Sequence, residues 1–149
     1  MRVEVDQSGK VERTQVNTAL AFSNSESSAV LILAVEKRSC IEELRKRGYR
    51  GFEPYLRLFV VGVFLLIRDH LSKITFVVID VENAGHEKAT RRLLLRQIRK
   101  VRQDFPPDAI VFEQIGRKSP AHKKALAVFQ KKEQPARRLR ARELLRLID

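Results

Sequence analysis

Two aspartates of this 149-residue chain each follow a short segment with the pattern of a strand. Asp6 follows the alternating segment at residues 2–5, and Asp80 directly follows the uncharged run at 74–79. Carboxylate oxygens are the ligands that Mg²⁺ and Mn²⁺ prefer in proteins. If the two segments form neighbouring parallel strands, both carboxylates lie at the carboxyl edge of one sheet, where open α/β sheets bind their ligands. The alternative for each residue is structural, because Asp favours the first position of a turn and can simply end a strand.

Two carboxylates at one sheet edge repel each other unless a cation lies between them. A pair of divalent ions about 4 Å apart can activate a water molecule and stabilise the leaving oxygen of a phosphodiester. The combination of Asp6 and Asp80 therefore predicts a site for Mg²⁺ or Mn²⁺, with two ions expected.

His122 lies three residues after Ser119, which precedes a proline and is predicted to cap a helix. The helix dipole at that position disfavours the imidazolium, so the ring is expected to be neutral and able to ligate a metal or accept a proton. The alternative is an exposed polar residue at a helix start. The pair His86-Glu87 begins a zinc-protease motif, but that motif requires a second histidine where the chain has Thr90.

The positive charge of the chain is unevenly distributed. The formal net charge is +12, and 11 Lys and Arg residues between 117 and 146 face only Glu133 and Glu143. Such clustering is typical of proteins that bind polyanions, because each neutralised phosphate releases condensed counterions. The alternatives are a solubilising surface, an anionic membrane and a protein partner.

A helix N-terminus flanked by cations can hold a backbone phosphate. Few aromatic residues are present (8 Phe, 2 Tyr, no Trp), so base stacking is poorly supported, and recognition of the shape and backbone of a duplex or junction is favoured. The predicted nucleic-acid contacts are Arg117, Lys118, Lys123, Lys124, Arg137 and Arg138.

Periodicity and turn signals predict five strands and five helices in the order β-β-β-α-α-β-α-β-α followed by a tail helix. The predicted strands are 2–6, 18–22, 29–35, 74–79 and 109–112, and the predicted helices are 36–47, 53–71, 85–102 and 119–129. The first three strands form an antiparallel meander, and the helix-connected strands pair in parallel through right-handed crossovers. We expect a mixed five-stranded sheet flanked by helices in a domain at residues 1–131, followed by a basic helical tail at 132–149.

Composition also favours a cytoplasmic protein without a membrane partner. Cys40 is the only cysteine, the first ten residues are too polar for a signal peptide, and the longest apolar run, 58–67, is half of the roughly 20 residues that a spanning helix needs. The apolar helix at 53–71 offers material for a homodimer interface.

The order of elements resembles the ribonuclease H-like superfamily, which includes ribonucleases H and Holliday-junction resolvases, over residues 1 to about 131. The resemblance consists of topology and of acid placement in VEVDQSGK and FVVIDVE, together with the histidine of GRKSPAHKKA. It implies that Asp6 on strand one, Asp80 at the end of strand four and His122 on the helix after strand five form a catalytic site.

Members of this superfamily usually add a glutamate from the helix after strand three. Glu36 and Glu43 are both possible here, and Glu82 could substitute from strand four. The resemblance therefore implies a metal-dependent nuclease for structured nucleic acid (hybrid, duplex or junction), with Asp6, Asp80, Glu82 and His122 around the ions. Members without catalysis also exist. The alternatives are a non-catalytic nucleic-acid-binding module on the same fold and a scaffold whose tail helix docks a protein.

Overall fold

The computed structural model describes residues 1–80 and 85–148, and it has the predicted α/β class with one mixed sheet between layers of helices. The strands are β1 (Arg2–Ser8), β2 (Thr18–Ser23), β3 (Ser27–Ile32), β4 (Phe76–Asp80), β5 (Ile110–Glu113) and β6 (Arg137–Arg138). The helices are α1 (Ala34–Lys46), α2 (Glu53–Ile67), α3 (Glu87–Ile98), α4 (Pro120–Phe129) and α5 (Ala141–Leu147). Short 3₁₀ turns occupy Arg68–Lys73 and Pro107–Ala109.

The strands lie in the order β5-β4-β1-β2-β3-β6. Strand β2 is antiparallel to β1 and β3, while β1–β4, β4–β5 and β3–β6 are parallel pairs. The meander and the two helix-connected parallel strands are therefore as predicted.

The expected count of five strands is wrong, because the chain after α4 adds a sixth. Val30 and Leu31 of β3 pair with Arg137 and Arg138, and the amide of Leu139 donates to the carbonyl of Leu31 at 2.8 Å. A two-residue strand has no periodicity that could be detected in a sequence.

The larger hydrophobic core lies on the face of the sheet that α1, α2, α3 and α5 cover. Helix α2 is almost entirely buried, and it packs against the sheet at Gly62, where a Cβ atom would lie 2.7 Å from Cδ1 of Leu20. The apolar side chains of the helix that was expected to offer an interface are therefore mostly used in this core.

The opposite face of the sheet carries a smaller core under α4. Strands β2 and β3 present Ala19, Ala21 and Ala29 to this helix, which contributes Ala125 and Val128. Side chains alternate between the two faces of a strand, so small residues on this face let α4 pack close to the backbone of the sheet. The close packing brings the start of α4 beside β1.

Residues 132–148 follow the sheet and then cross to the larger core. Leu139, Ala141, Leu144 and Ile148 are buried there. The guanidinium of Arg47, which directly follows α1, donates to carbonyls near the end of α5 at 3.4–3.5 Å. The apolar side chains of the tail are thus used in packing against the domain.

Several element boundaries differ from the sequence-based expectation, among them those of β3 and β1. Strand β3 ends at Ile32 instead of 35, because the side chain of Asn17 accepts a hydrogen bond from the amide of Ala34 at 2.8 Å and so stabilises the start of α1. Strand β1 continues to Ser8, so Asp6 lies inside a strand and not in a turn.

Helix α2, the longest, has 15 residues. Within residues 1–80 and 85–148, no helix combines the length and the apolar character that crossing a membrane requires.

Candidate functional site

Asp6 and Asp80 lie side by side on neighbouring strands. The parallel pairing of β1 with β4 matches Val5 with Ile79, so the next residue on each strand is Asp6 and Asp80, respectively. Residues in register on parallel strands point to the same face of the sheet. Asp6 also pairs with Ala21, which belongs to the small core, so both carboxylates lie on the face that carries α4.

The carboxyl group of Asp6 is buried and hydrogen-bonded. Its side chain is 3% exposed, Oδ2 lies 2.8 Å from Nδ1 of His122, and Oδ1 accepts a hydrogen bond from the amide of Gln7 at 2.8 Å. Burial raises the pKa of Asp6 above its usual value, the hydrogen bonds from His122 and Gln7 oppose this rise, and the charge of Asp80 adds to it. The surroundings of Asp6 in the folded protein thus disfavour its ionised form.

The start of α4 places His122 next to Asp6. Ser119 caps the helix as predicted, since its Oγ accepts a hydrogen bond from the amide of Ala121 at 3.2 Å. The Ser119 hydroxyl also donates to Oε2 of Glu4 at 3.2 Å, which ties the cap to β1. Glu4 and Asp6 are two residues apart on one strand and therefore share the face that α4 covers.

Asp80 ends β4 and is half-buried. Its Oδ1 accepts a hydrogen bond from the amide of Ile115 at 2.6 Å, so the carboxylate helps to hold the segment that leads from β5 to α4. Asp80 thus ends a strand, and this position is compatible with a role beside Asp6.

Glu113 is a further acid at this edge that the sequence analysis missed. Strand β5 pairs with β4 so that Glu113 is in register with Asp80, which makes a row of three acids with Asp6 across three strands. In the structure, Oε2 of Glu113 accepts a hydrogen bond from the guanidinium of Arg2 at 2.8 Å. The available signal was that Glu113, like Asp80, ends a buried strand that was predicted to be parallel to β1.

The candidates for a fourth acid lie elsewhere or outside the described residues. Glu36 lies 4.0 Å from Arg140, and Glu43 forms an ion pair with Arg47 at 3.3 Å. These contacts place both glutamates where α1 meets the C-terminal segment, whereas Asp6 faces α4. Glu82 falls outside the described residues.

The structure separates the predicted cationic contacts into two groups. Arg117, Lys118 and Lys123 are exposed around the start of α4, on the same helix end as His122. Lys124 is on this helix too, but it pairs with Glu133.

Arg137 and Arg138 lie on β6, which β2 and β3 separate from β1. Arg137 forms an ion pair with Glu143, whereas Arg138 is exposed. Only the first group therefore lies beside Asp6 and His122.

A cleft opens next to Asp80, and the start of α3 forms one of its walls. Its lining includes Gln7, Tyr55, His86 and Thr90 as well as Asp80. The ring of His86 stacks on Phe52 at a centroid distance of 4.4 Å and does not take part in a zinc motif. The cleft connects the acidic edge of the sheet to α3.

The side chains at this edge include the oxygen ligands that divalent cations prefer. Asp6 and Asp80 offer carboxylate oxygens, and the charge of Asp80 adds to the rise in the pKa of Asp6 that burial causes. Within the part of the chain that the structure describes, no cluster of three or more His, Cys, Asp or Glu side chains is arranged to hold a metal ion. The two aspartates are thus the core of the candidate site, and the other ligands are not assembled around them.

Comparisons with protein-family models, with curated proteins and with solved structures found no match to this chain. No relative therefore supplies an activity or a substrate. The case for a function depends on the row of acids, on His122 and on the cations at the start of α4.

Proposed function

We propose that this protein is a divalent-metal-dependent nuclease of the ribonuclease H-like superfamily that hydrolyses phosphodiester bonds in structured nucleic acid. The observation that carries the proposal is the in-register placement of Asp6 and Asp80 on neighbouring parallel strands, with His122 hydrogen-bonded to Asp6. The strand order β5-β4-β1-β2-β3, a meander followed by two parallel strands, is the arrangement on which the resemblance to that superfamily is based.

Asp6 and Asp80 would hold Mg²⁺ or Mn²⁺ between them. A bound divalent ion supplies charge neutralisation and a water molecule of lowered pKa. The role of the two aspartates is to fix the position of that charge at the carboxyl edge of the sheet. Each carboxylate keeps one hydrogen bond to a backbone amide, from Gln7 or Ile115, which limits its rotation.

His122 would move a proton during the reaction. Because an ionised Asp6 can only accept hydrogen bonds, its contact with Nδ1 selects the tautomer that carries hydrogen on Nδ1. In this tautomer of the neutral ring, Nε2 carries no hydrogen and can accept a proton from the attacking water.

Arg117, Lys118 and Lys123 would bind phosphates that flank the cleaved bond. They surround the N-terminal end of α4, where backbone amides and the helix dipole also favour an anion. The substrate backbone would then pass over the acids. The cations at the start of α4 would neutralise the phosphates on that side.

A non-catalytic nucleic-acid-binding module is the second candidate. The observation in its favour is that the Asp6 side chain is only 3% exposed and that both of its oxygens already have hydrogen-bond partners. In that case His122 and Asp6 would serve to fix α4 on the sheet.

Cleavage assays with matched variants distinguish the two candidates. Purified protein is incubated with Mg²⁺ or Mn²⁺ and labelled hybrid, duplex RNA or four-way junction. We expect Asp80→Asn to abolish cleavage and His122→Gln to lower the rate by about 10² to 10⁴, the usual contribution of a general base. Asp108→Asn, an exposed aspartate remote from this edge, is the control and should cut like the parent.

Equal cleavage by the parent, Asp6→Asn and Asp80→Asn would show that the assigned site is wrong. Binding of these nucleic acids without any cleavage by the parent would instead identify the non-catalytic module.

A further inference from the structure

Four aromatic rings line the cleft next to Asp80, which we call the aromatic cleft. Phe52, Tyr55, Phe59 and Phe112 contribute these rings, and each of the four is only half-buried. The whole chain contains 8 Phe, 2 Tyr and no Trp, so a large share of its aromatic side chains is collected here. The four residues come from α2, from the residue before it and from β5, so only the fold brings them together.

Neighbouring side chains fix the positions of these rings. The ring of His86 stacks on Phe52 at a centroid distance of 4.4 Å with 25° between the two planes, and the ring of Tyr55 lies 5.7 Å from that of Phe52. The guanidinium of Arg91 lies over the ring of Phe112, 5.3 Å from its centroid. The aromatic wall is therefore preformed, which lowers the entropic cost of binding a ligand.

The ionisable side chains of the aromatic cleft select against an anion. They are the carboxyl groups of Glu12, Asp80 and Glu87 and the imidazole of His86, and no lysine or arginine of the described residues is part of the lining. Ionised carboxylates accept hydrogen bonds and repel phosphate groups. The cleft therefore suits a flat ring that carries amino donors. Adenine, cytosine and guanine have such an amino group, whereas thymine has none.

The aromatic cleft adjoins the proposed site for metal ions. Asp80 belongs to both, because it lines the cleft and lies beside Asp6 on the neighbouring strand. The base and the phosphate of a nucleotide are joined through one sugar, so a nucleotide whose phosphate is held at the two aspartates can direct its base into the cleft. The unpaired bases of bulges, loops and ends are free to stack on aromatic side chains in this way.

We propose that the aromatic cleft binds one unpaired nucleobase that carries an amino group, next to the phosphate held at Asp6 and Asp80. This inference rests on the proposed function, because nucleic acid as the substrate is what identifies the flat ring as a base. It deepens that function by naming the feature of a structured nucleic acid that the protein recognises, which is an unpaired base beside a helical arm.

The test compares two duplexes that differ by one base. One is fully paired, and the other has a single bulged 2-aminopurine, a fluorescent base with an amino group whose emission falls when it stacks. Both are prepared as DNA and as RNA, and affinity and fluorescence are measured without divalent ions, so that binding is separated from cleavage.

Two matched variants make the test specific to the aromatic cleft. Phe52→Leu removes the central ring and keeps an apolar side chain. Phe76→Leu is the control, because Phe76 is 46% exposed and lies at the opposite end of β4 from Asp80. Tyr55→Leu is a second cleft variant, and the thermal midpoint checks that every variant is folded.

We expect the parent to bind the bulged duplex about 5- to 100-fold more tightly than the paired duplex and to quench the 2-aminopurine, which is the usual effect of stacking one base on an aromatic side chain. Phe52→Leu and Tyr55→Leu should each lose most of this preference, and Phe76→Leu should retain it. A bulged thymine should be preferred less than 2-aminopurine, because it offers no amino group.

Equal affinity of the parent for the bulged and paired duplexes would overturn the inference, as would a preference that folded Phe52→Leu and Tyr55→Leu both retain. If the duplexes bind equally, binding of tetramethylammonium or of adenosine that Phe52→Leu abolishes would identify an organic cation or a free nucleoside as the occupant instead. Cleavage of both duplexes with Mg²⁺ by a parent that binds them equally would contradict only the role of the aromatic cleft. Binding that depends on the bulged base, without any cleavage, would contradict only the proposed catalysis.

Discussion

The two faces of the sheet are built from different residues. The face under α1, α2, α3 and α5 carries large apolar side chains such as Leu20, Phe22 and Ile32, whereas the face under α4 carries Ala19 and Ala21 from the same strands. The large face accounts for most of the buried apolar surface. The small face lets one helix approach closely and brings polar groups of β1 into contact with its start. Stability and candidate chemistry are therefore placed on opposite faces of one sheet.

Each face also holds a buried ionisable residue, and the groups that surround these two residues differ. Lys37 on the large face donates from Nζ to the carbonyls of Lys10 and Arg13 at 3.2 and 2.6 Å and to the hydroxyl of Thr18 at 2.9 Å. Asp6 on the small face has a second carboxylate beside it. Lys37 donates to neutral oxygens within the chain, whereas burial, with a smaller contribution from the charge of Asp80, raises the pKa of the Asp6 carboxyl.

The largest difference between the faces should appear in their cores. We expect Leu94→Ala, in the large core, to lower the free energy of unfolding by about 2 to 5 kcal/mol, because it leaves a cavity. Val128→Ala, in the small core, should cost about 1 to 2 kcal/mol, at about 0.8 per buried methyl-sized group. Urea unfolding measures both, and equal losses would contradict the division of roles.

Removing the buried lysine should have an intermediate effect. Lys37→Met leaves the Lys10 and Arg13 carbonyls without this donor, so we expect a loss of about 1 to 3 kcal/mol in the free energy of unfolding. Lys46→Met, at an exposed position of the same helix, is the control and should change stability by less than about 0.5 kcal/mol. An unchanged stability of Lys37→Met would show that these hydrogen bonds contribute nothing net.

The same lysine predicts a dependence on pH. Burial lowers the pKa of Lys37 from 10.5 to about 8 in the folded protein. Between these values the unfolded chain binds more protons at this residue than the folded chain, so the free energy of unfolding of the parent should rise with pH relative to Lys37→Met. The difference should be constant below about pH 7, and a difference that instead falls between pH 8 and 10 would contradict the assignment.

The smallest effect is expected on the small face. Asp80→Asn keeps an oxygen for the amide of Ile115 and removes the charge beside Asp6. Without added metal we expect the free energy of unfolding at pH 7 to stay equal or to rise by up to about 1 kcal/mol, with a lower pKa of Asp6. Carboxyl NMR titration of Asp6 measures the shift, and an unchanged pKa would mean that the two carboxylates do not interact.

Much of the architecture could be predicted from local sequence patterns. Alternation at 2–5 and the uncharged run at 74–79 identified β1 and β4, and Ser119 followed by proline identified the start of α4. These signals work because capping and the alternation of buried and exposed positions depend on residues that are close in the chain. The same patterns suggested Asp6 and Asp80 as neighbours before any register was known.

The sequence could not predict the register of the strands, the ion pairs or the exposure of charged side chains, because these depend on the tertiary structure. The pairing of β4 with β5 brought Glu113 into the row of acids, and the packing of the C-terminal segment paired Arg137 with Glu143. The sequence predicted one cationic surface at 117–146, but Lys124 within that range pairs with Glu133. A sequence shows how many charges a segment carries, but the fold decides which of them face a carboxylate, the core or an open surface, because these contacts join residues that are distant in the chain.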